Sequence, residues 1–208
     1  MLVLHAPIDR LQDPEVFARE LALLTEPEKQ KILKKLRQGD RQAALLGRML
    51  LREGLARLGA DPELVRHVQY TRFGKPFISA SLSFSISHSG GHVVCALSRG
   101  QRVGIDLEAE RSVTLADFES CMTAGQWQDI RAAASPSRRF LEYWTMKEGL
   151  VKCRGEGLSL PLDEIEGGFG RLTLQGEHWY AQPLSVAPGY VCHLTTKGNP
   201  VRAEIQAL

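Results

Sequence analysis

The chain has 208 residues, 43% of them apolar, and carries 26 basic against 24 acidic side chains for a formal net charge of +2. That length suits one large domain or two small halves with a real hydrophobic core. So balanced a charge gives no general electrostatic reason to bind nucleic acid or an anionic membrane, and any basic site must be local.

At the N-terminus, "MLVLHAPIDRLQD" is apolar for only four residues before His5, too short for a signal peptide, and no later run approaches a membrane span. Cys95, Cys121, Cys153 and Cys192 are scattered without a C-x-x-C pair, which points to reduced thiols rather than zinc ligands or a disulfide framework. A cytoplasmic protein is expected.

Thr25 stands three residues before Glu28 with Pro27 between them, the pattern of a capping box with proline in the first turn. The helix it starts carries Ile32, Leu33 and Leu36, and its Lys29, Lys31, Lys34 and Lys35 form either an anion-binding face or a solvated one. A second helix is predicted from about Asp40 to Leu58, with a buried stripe of Leu45, Leu46, Met49, Leu50, Leu55 and Leu58, and Gly59 closing it. Next comes "RFGKPFI", Arg72 to Ile78, where Gly74 permits a tight turn, Pro76 fixes the chain direction and Lys75 projects a cation.

The period then changes. Leu82, Phe84 and Ile86 alternate with Ser81, Ser83, Ser85 and Ser87, and turn-like breaks at "HSGG" and "SRGQ" divide Ser81 to Glu108 into three consecutive strands, a β-meander. The loop at His88, Ser89, Gly90 and Gly91 offers backbone N–H groups and an imidazole to an anion, although turns collect such residues for structural reasons too.

In the third strand, "VGIDLE", Val103, Ile105 and Leu107 share one face and Gly104, Asp106 and Glu108 the other. Two carboxylates on one face are either a solvated polar surface or half of a cation site. Beyond a moderately amphipathic segment, "LADFESCMTAGQWQDIRAAA", Ser135 and Pro136 open a strong helix that Gly155 ends, with Trp144, Glu148 and Lys152 at i, i+4 and i+8 along one face. Glu148 and Lys152 alone would be an ordinary surface pair. If Glu148 faces Asp106 and Glu108, three carboxylates converge, an arrangement that a hard divalent cation neutralises. Magnesium suits it, and magnesium sites are completed by substrate phosphates. Beyond Gly157 the pattern is of short strands, "FGRLTLQ", "HWYAQPL" and "YVCHLTT". Both halves run through helix and strands at similar length, so the expected fold is α+β and pseudo-duplicated.

In order, "FGKP", "FSISHSG", "VGIDLE" and "WTMKEGLVKCRGEGLSLPL" resemble the signature motifs of the 4′-phosphopantetheinyl transferases, of the surfactin-synthetase-activating type. "TEPEKQKILKKLRQGDRQAALLGRMLLR" is similar to that family's N-terminal helices. The order and joint presence make the match specific, since each motif alone is weak.

The resemblance implies transfer of the phosphopantetheine arm of coenzyme A to a serine of an acyl or peptidyl carrier protein, releasing adenosine 3′,5′-bisphosphate. It implies two halves related by a pseudo-twofold, each with a small antiparallel sheet and a long helix: 1–103 with the coenzyme A-binding loops and 104–208 with the metal-binding acids. A monomer is expected. The metal-binding acids fall on Asp106, Glu108 and Glu148. Lys75, Pro76, His88, Ser89 and Lys152 fall on cofactor-binding positions, His88 at the 3′-phosphate. Glu148 is the candidate base for the carrier serine, with Glu108 acting through water as the alternative.

Two departures stand out. The basic residue expected just before "LLG" is replaced by Ala43 and Ala44, leaving Arg41 and Arg48 as flanking candidates, and Gly149 follows the glutamate at a cost of roughly 1 kcal/mol against alanine in a helix. Val113, Leu115, Phe118, Met122 and Trp127 are either a carrier-docking surface, with Arg111 steering an acidic partner, or core. The rival functions are a magnesium-dependent nucleotide pyrophosphatase and a non-catalytic coenzyme A or nucleotide binder.

Overall fold

The computed structural model describes residues 1–157, 160–198 and 200–208, so Leu158 and Ser159 of the last signature motif lie outside the described residues. Its first element is a strand that the sequence pattern does not announce, β1 (Leu2–Pro7), with Leu2 and Leu4 in one hydrophobic cluster and Val3 in another. Helix α1 (Pro14–Ala22) begins behind Asp13, whose carboxylate accepts the Glu15 N–H.

Helix α2 (Glu26–Leu33) has Pro27 in its first turn as expected, but the capping box is not made. Thr25 forms no side-chain cap bond, and Glu28 is buried with its carboxylate 2.9 Å from the Arg48 guanidinium. The guanidinium brings a full opposite charge to the carboxylate where a backbone N–H brings only a dipole, so the arginine wins it. Leu36 lies beyond the helix and is exposed.

Helix α3 (Gln38–Arg57) buries Leu45, Leu46, Leu50 and Leu55, with Met49 and Leu58 partly buried against the same cluster. Gly59 closes it at φ +67°, and the Ala60 N–H reaches back to the Leu55 carbonyl. The "RFGKP" turn joins two short strands, β2 (Gln69–Tyr70) and β3 (Pro76–Phe77).

The serine-alternating segment forms β4 (Leu82–Ser89) and β5 (His92–Arg99), and the carboxylate strand is β6 (Val103–Ala109). All three predicted strands exist. They are not a single meander, however, because β6 belongs to another sheet. The free edge of β5 is already taken by β1 in an antiparallel ladder from Leu2↔Leu97 to Pro7↔His92, so β6 has no backbone edge to join there.

Helices α4 (Ala124–Ala132) and α5 (Pro136–Arg154) follow, the second ended by Gly155 in the left-handed conformation at φ +80° as expected. The remaining strands are β7 (Glu166–Gly168), β8 (Arg171–Leu174), β9 (Glu177–Pro183), β10 (Tyr190–Lys197) and β11 (Glu204–Ala207). The sheets read β11-β1-β5-β4 and β6-β10-β9-β8-β7. Chain order β1-α3-β4-β5 with sheet order β1-β5-β4 is repeated as β6-α5-β9-β10 with β6-β10-β9, which is the pseudo-duplicated α+β architecture. The sheets share a cluster to which β1 and β5 give Val3, Val94 and Ala96, and β6 and β10 give Ile105, Leu107 and Leu194.

Two contacts of β6 matter for the site. Along one seam, the hydroxyls of Ser83, Ser85, Ser87 and Ser89 on β4 accept the N–H groups of Val103, Ile105, Leu107 and Ala109 on β6 at 3.1, 3.1, 3.3 and 3.1 Å. Side-chain oxygens thus stand in for the carbonyls of a missing ladder. On the other side of β6, a Cβ at Gly104 would overlap the Gly149 carbonyl oxygen and lie 2.5 Å from the Cys153 nitrogen, so α5 rests directly on strand backbone. Gly149 is equally hemmed in, since a Cβ there would meet Thr195 Oγ1 at 2.5 Å on β10.

Gly104→Ala is expected to lower the unfolding free energy by about 3 kcal/mol or more, because overpacking against backbone cannot be relieved by a rotamer change; urea denaturation checks it. A second expectation concerns acid. His193, buried and hydrogen-bonded to Thr145 Oγ1 at 2.8 Å, has its pKa pushed down from 6.5 to about 4 by burial. As pH falls from 6.5 towards 4 the unfolded chain gains a proton that the folded one refuses. Up to about 3 kcal/mol of stability is lost over that window, and His193→Gln flattens the slope in pH-dependent melting.

Candidate active site

Strand β6 places its two acids on the face away from the apolar set, and α5 lies over that face at the Gly104 contact. Asp106 is buried, at 4% exposure, rather than part of a solvated surface, and Glu108 is half-buried. Lys152 extends from the last turns of α5 to place its ammonium 2.6 Å from Asp106 Oδ1 and 2.9 Å from Ser87 Oγ. Ser87 Oγ is itself 2.7 Å from Asp106 Oδ1, and Ser89 Oγ is 2.8 Å from Glu108 Oε2.

Glu148, one turn before Lys152, completes the acid group. Burial pushes its pKa up, the Asp106 carboxylate pushes the same way, the Lys152 ammonium opposes both, and Glu108 adds a smaller rise. The like-charge coupling places the three acids within mutual electrostatic reach. Asp106, Glu108, Glu148, Lys152, His88 and Trp144 line one recess of about 340 Å³. Through Ile86, His88, Glu148 and Lys152 it adjoins a larger one of about 400 Å³ between α3, β4 and the end of α5.

Whether these groups fit a divalent cation is tested by their free oxygens. Among the described residues no three acids or imidazoles stand as a ready-made ligand set. Asp106 Oδ2, however, is buried with no hydrogen-bond partner. An unsatisfied buried carboxylate oxygen is costly unless something positive completes it, and three carboxylates are the hard-oxygen donors magnesium prefers. The donor set fits.

The other predicted residues divide. Lys75, Pro76, His88 and Arg48 line the larger recess, whereas Arg41 does not and donates to the Lys35 carbonyl at 2.7 Å. His88 is exposed, and the surrounding protein and then the Lys35 and Lys152 ammoniums lower its pKa. Arg48 donates to the Tyr70 hydroxyl at 2.7 Å besides Glu28. Lys75 has a structural engagement that its motif does not suggest: its ammonium donates to the Lys152 and Cys153 carbonyls at 2.7 and 2.9 Å, capping the C-terminal end of α5. Its stem crosses Gly155 where any Cβ would collide with it.

Met122 and Trp127 are core, and Val113, Leu115 and Phe118 are partly buried against the same cluster, so this set packs the second half. The sequence reading missed Ser87, Tyr70 and the fully buried Lys147, which ties the Cys121 and Leu162 carbonyls at 2.8 and 2.7 Å. For Ser87 the signal was present in the serine alternation; for Lys147, a lysine in an otherwise amphipathic helix, there was none.

Residues 12–99 match the family model described as 4′-phosphopantetheinyl transferase, N-terminal, and residues 102–194 that of the 4′-phosphopantetheinyl transferase superfamily. The chain is 31% identical over 178 residues to the 4′-phosphopantetheinyl transferase psf-1 of Bacillus pumilus, covering 79% of this chain and 75% of that one. It is 33% identical over 153 residues to a 4′-phosphopantetheinyl transferase of Bacillus subtilis, covering 71% and 67%. To the 4′-phosphopantetheinyl transferase Sfp of Bacillus subtilis it is 28% identical over 194 residues, covering 88% and 86%. The chain belongs to the 4′-phosphopantetheinyl transferase superfamily. It is a transferase that moves the phosphopantetheine arm to carrier proteins.

The Lys75 clamp generates an expectation independent of catalysis. Lys75→Met removes a charge-assisted cap from α5 and is expected to cost about 1–2 kcal/mol, read by urea denaturation, with faster hydrogen exchange confined to the last turn of α5.

Proposed function

We propose that the chain transfers the 4′-phosphopantetheine arm of coenzyme A to a serine of an acyl or peptidyl carrier protein of a fatty-acid, polyketide or peptide synthase, in a magnesium-dependent reaction. Adenosine 3′,5′-bisphosphate is the other product. The observation that carries the reading is that Asp106, Glu108, Glu148 and Lys152 line one recess, and that this recess adjoins a larger space flanked by His88, Lys75 and Arg48. A charged end and a space for the nucleotide and arm are therefore side by side.

Asp106, Glu108 and Glu148 are the residues that would hold magnesium, which when bound supplies positive charge to the diphosphate as its bridging P–O bond breaks. Lys152 lines both recesses and offers a point charge to the same phosphate oxygens. Glu148 takes the serine proton as the serine oxygen attacks the phosphorus bearing the arm, with Glu108 acting through water as the alternative base. The bridging bond breaks and its electron pair leaves with the adenosine bisphosphate. His88 acts as a hydrogen-bonding imidazole at the nucleotide end, where Lys75, Pro76, Ser89, Arg48 and, more remotely, Arg41 are the other contacts. On this reading 1–103 supplies the nucleotide loops and 104–208 the acids.

Among the described residues no helix is long and apolar enough to cross a membrane, and the four cysteines are unpaired. We read the protein as a cytoplasmic monomer in which one chain supplies both halves of the site.

Purified protein incubated with coenzyme A, magnesium and a panel of apo-carrier domains should add one phosphopantetheine arm to a carrier, read by intact mass, with loss on chelation and recovery when magnesium is restored. Asp106→Ala and Glu148→Ala should each lower the transfer rate by at least about 10²-fold while melting as cooperatively as the parent. Near-normal turnover in either variant would sink the mechanism, and release of nucleotide from an unmodified carrier would point to hydrolysis instead.

A further inference from the structure

The proposed transfer needs Asp106 and Glu108 aimed into one recess together, yet a strand carboxylate left to itself samples several rotamers. The seam between β4 and β6 limits that sampling. Ser87 Oγ accepts the Leu107 N–H at 3.3 Å and the Lys152 ammonium at 2.9 Å, and Ser89 Oγ accepts the Ala109 N–H at 3.1 Å. Amides and ammoniums only donate, so these contacts occupy hydroxyl lone pairs. A serine hydroxyl has a single proton to give, and the carboxylate oxygens beside it are Asp106 Oδ1 at 2.7 Å from Ser87 and Glu108 Oε2 at 2.8 Å from Ser89. The neighbouring donors therefore force the direction of both serine–carboxylate bonds.

The geometry is the same at the two sites. Each serine takes the amide of residue n on β6 and gives its proton to the carboxylate of residue n−1. We propose that Ser87 and Ser89 are positioning residues for the acid pair, each fixed by a strand amide and each holding one carboxylate oxygen. For Asp106 this leaves Oδ2, buried and without a partner, for a cation. The inference rests on the magnesium-dependent reading of the site. Ser83 provides the contrast. It accepts the Val103 N–H at 3.1 Å in the same ladder, but the residue before that amide is Arg102, so it holds no carboxylate.

Calorimetric titration of magnesium into the protein with coenzyme A and no carrier separates positioning from mere joining of the sheets. Ser87→Ala and Ser89→Ala are expected to weaken magnesium binding by about 10- to 100-fold, the usual effect of removing a group that orients a metal ligand. Ser83→Ala, which breaks the same kind of ladder bond, should bind magnesium within about threefold of the parent, and Ser89→Thr, which restores a hydroxyl, should recover most of the loss. Thermal melting of the same variants reports the cost of the lost ladder bond in each. If Ser87→Ala and Ser89→Ala melt lower, as Ser83→Ala does, but bind magnesium like the parent, the serines only join the sheets and the inference is overturned. A parent chain that binds no magnesium under these conditions overturns the metal reading itself, a result seen before any variant is compared.

Discussion

Helix α5 lies directly on the backbone of β6 at Gly104, and the site depends on that approach. Any side chain at Gly104 would overlap the Gly149 carbonyl, and any at Gly149 would strike Thr195. Glu148 immediately precedes one of these glycines and Asp106 lies two residues after the other, so the contact sets how far the helix acid stands from the strand acids. A methyl group between the elements would move Glu148 away from its partners before it altered any of them chemically. The helix-weakening glycine in α5 is thus explained by packing: its cost of roughly 1 kcal/mol is accepted where only a bare backbone fits.

On the edge of β6 away from β10 the constraint is polar. Backbone ladders tie each sheet internally, but β4 and β6 meet through serine hydroxyls, which are adaptable acceptors. A carbonyl at the same place would accept the amides equally well yet have no proton to give to Asp106 or Glu108. The choice of serine therefore satisfies the strand edge and the carboxylates with one group, and it explains why small polar residues alternate with the core residues of β4.

Much of this was legible in the sequence because the relevant signals are periodic. The two-residue period of "VGIDLE" put both acids on one face, and the four-residue spacing of Trp144, Glu148 and Lys152 put them on one side of α5. Gly59 and Gly155 marked true helix ends. What was not legible is non-local. The serine alternation identified a strand but not the strand that uses its hydroxyls, so three strands in sequence were expected to form one meander. Thr25 and Glu28 have the spacing of a capping box, but Arg48 and Tyr70, distant in sequence, draw the glutamate inwards. Lys75 belongs to a loop motif and caps a helix some eighty positions away in sequence. An amphipathic stripe such as Met122 and Trp127 carries no mark that separates core from docking face, and here the core claimed it. The acids' spacing suggests a cation site, while the rotamers that bring them together are set by neighbours from other segments.

The pairing of β11 with β1 bears on how the molecule is assembled. These strands run parallel, Leu2↔Glu204 to His5↔Ala207, so the first sheet takes its outermost strand from residues 204–207. During synthesis the first half emerges with one edge of β1 bare, a row of unsatisfied amides and carbonyls of the kind that recruits stray strands. That edge is covered only after the second half has been made. Residues 204–207 thus act as a latch, contributed by the second half, that shuts the sheet of the first.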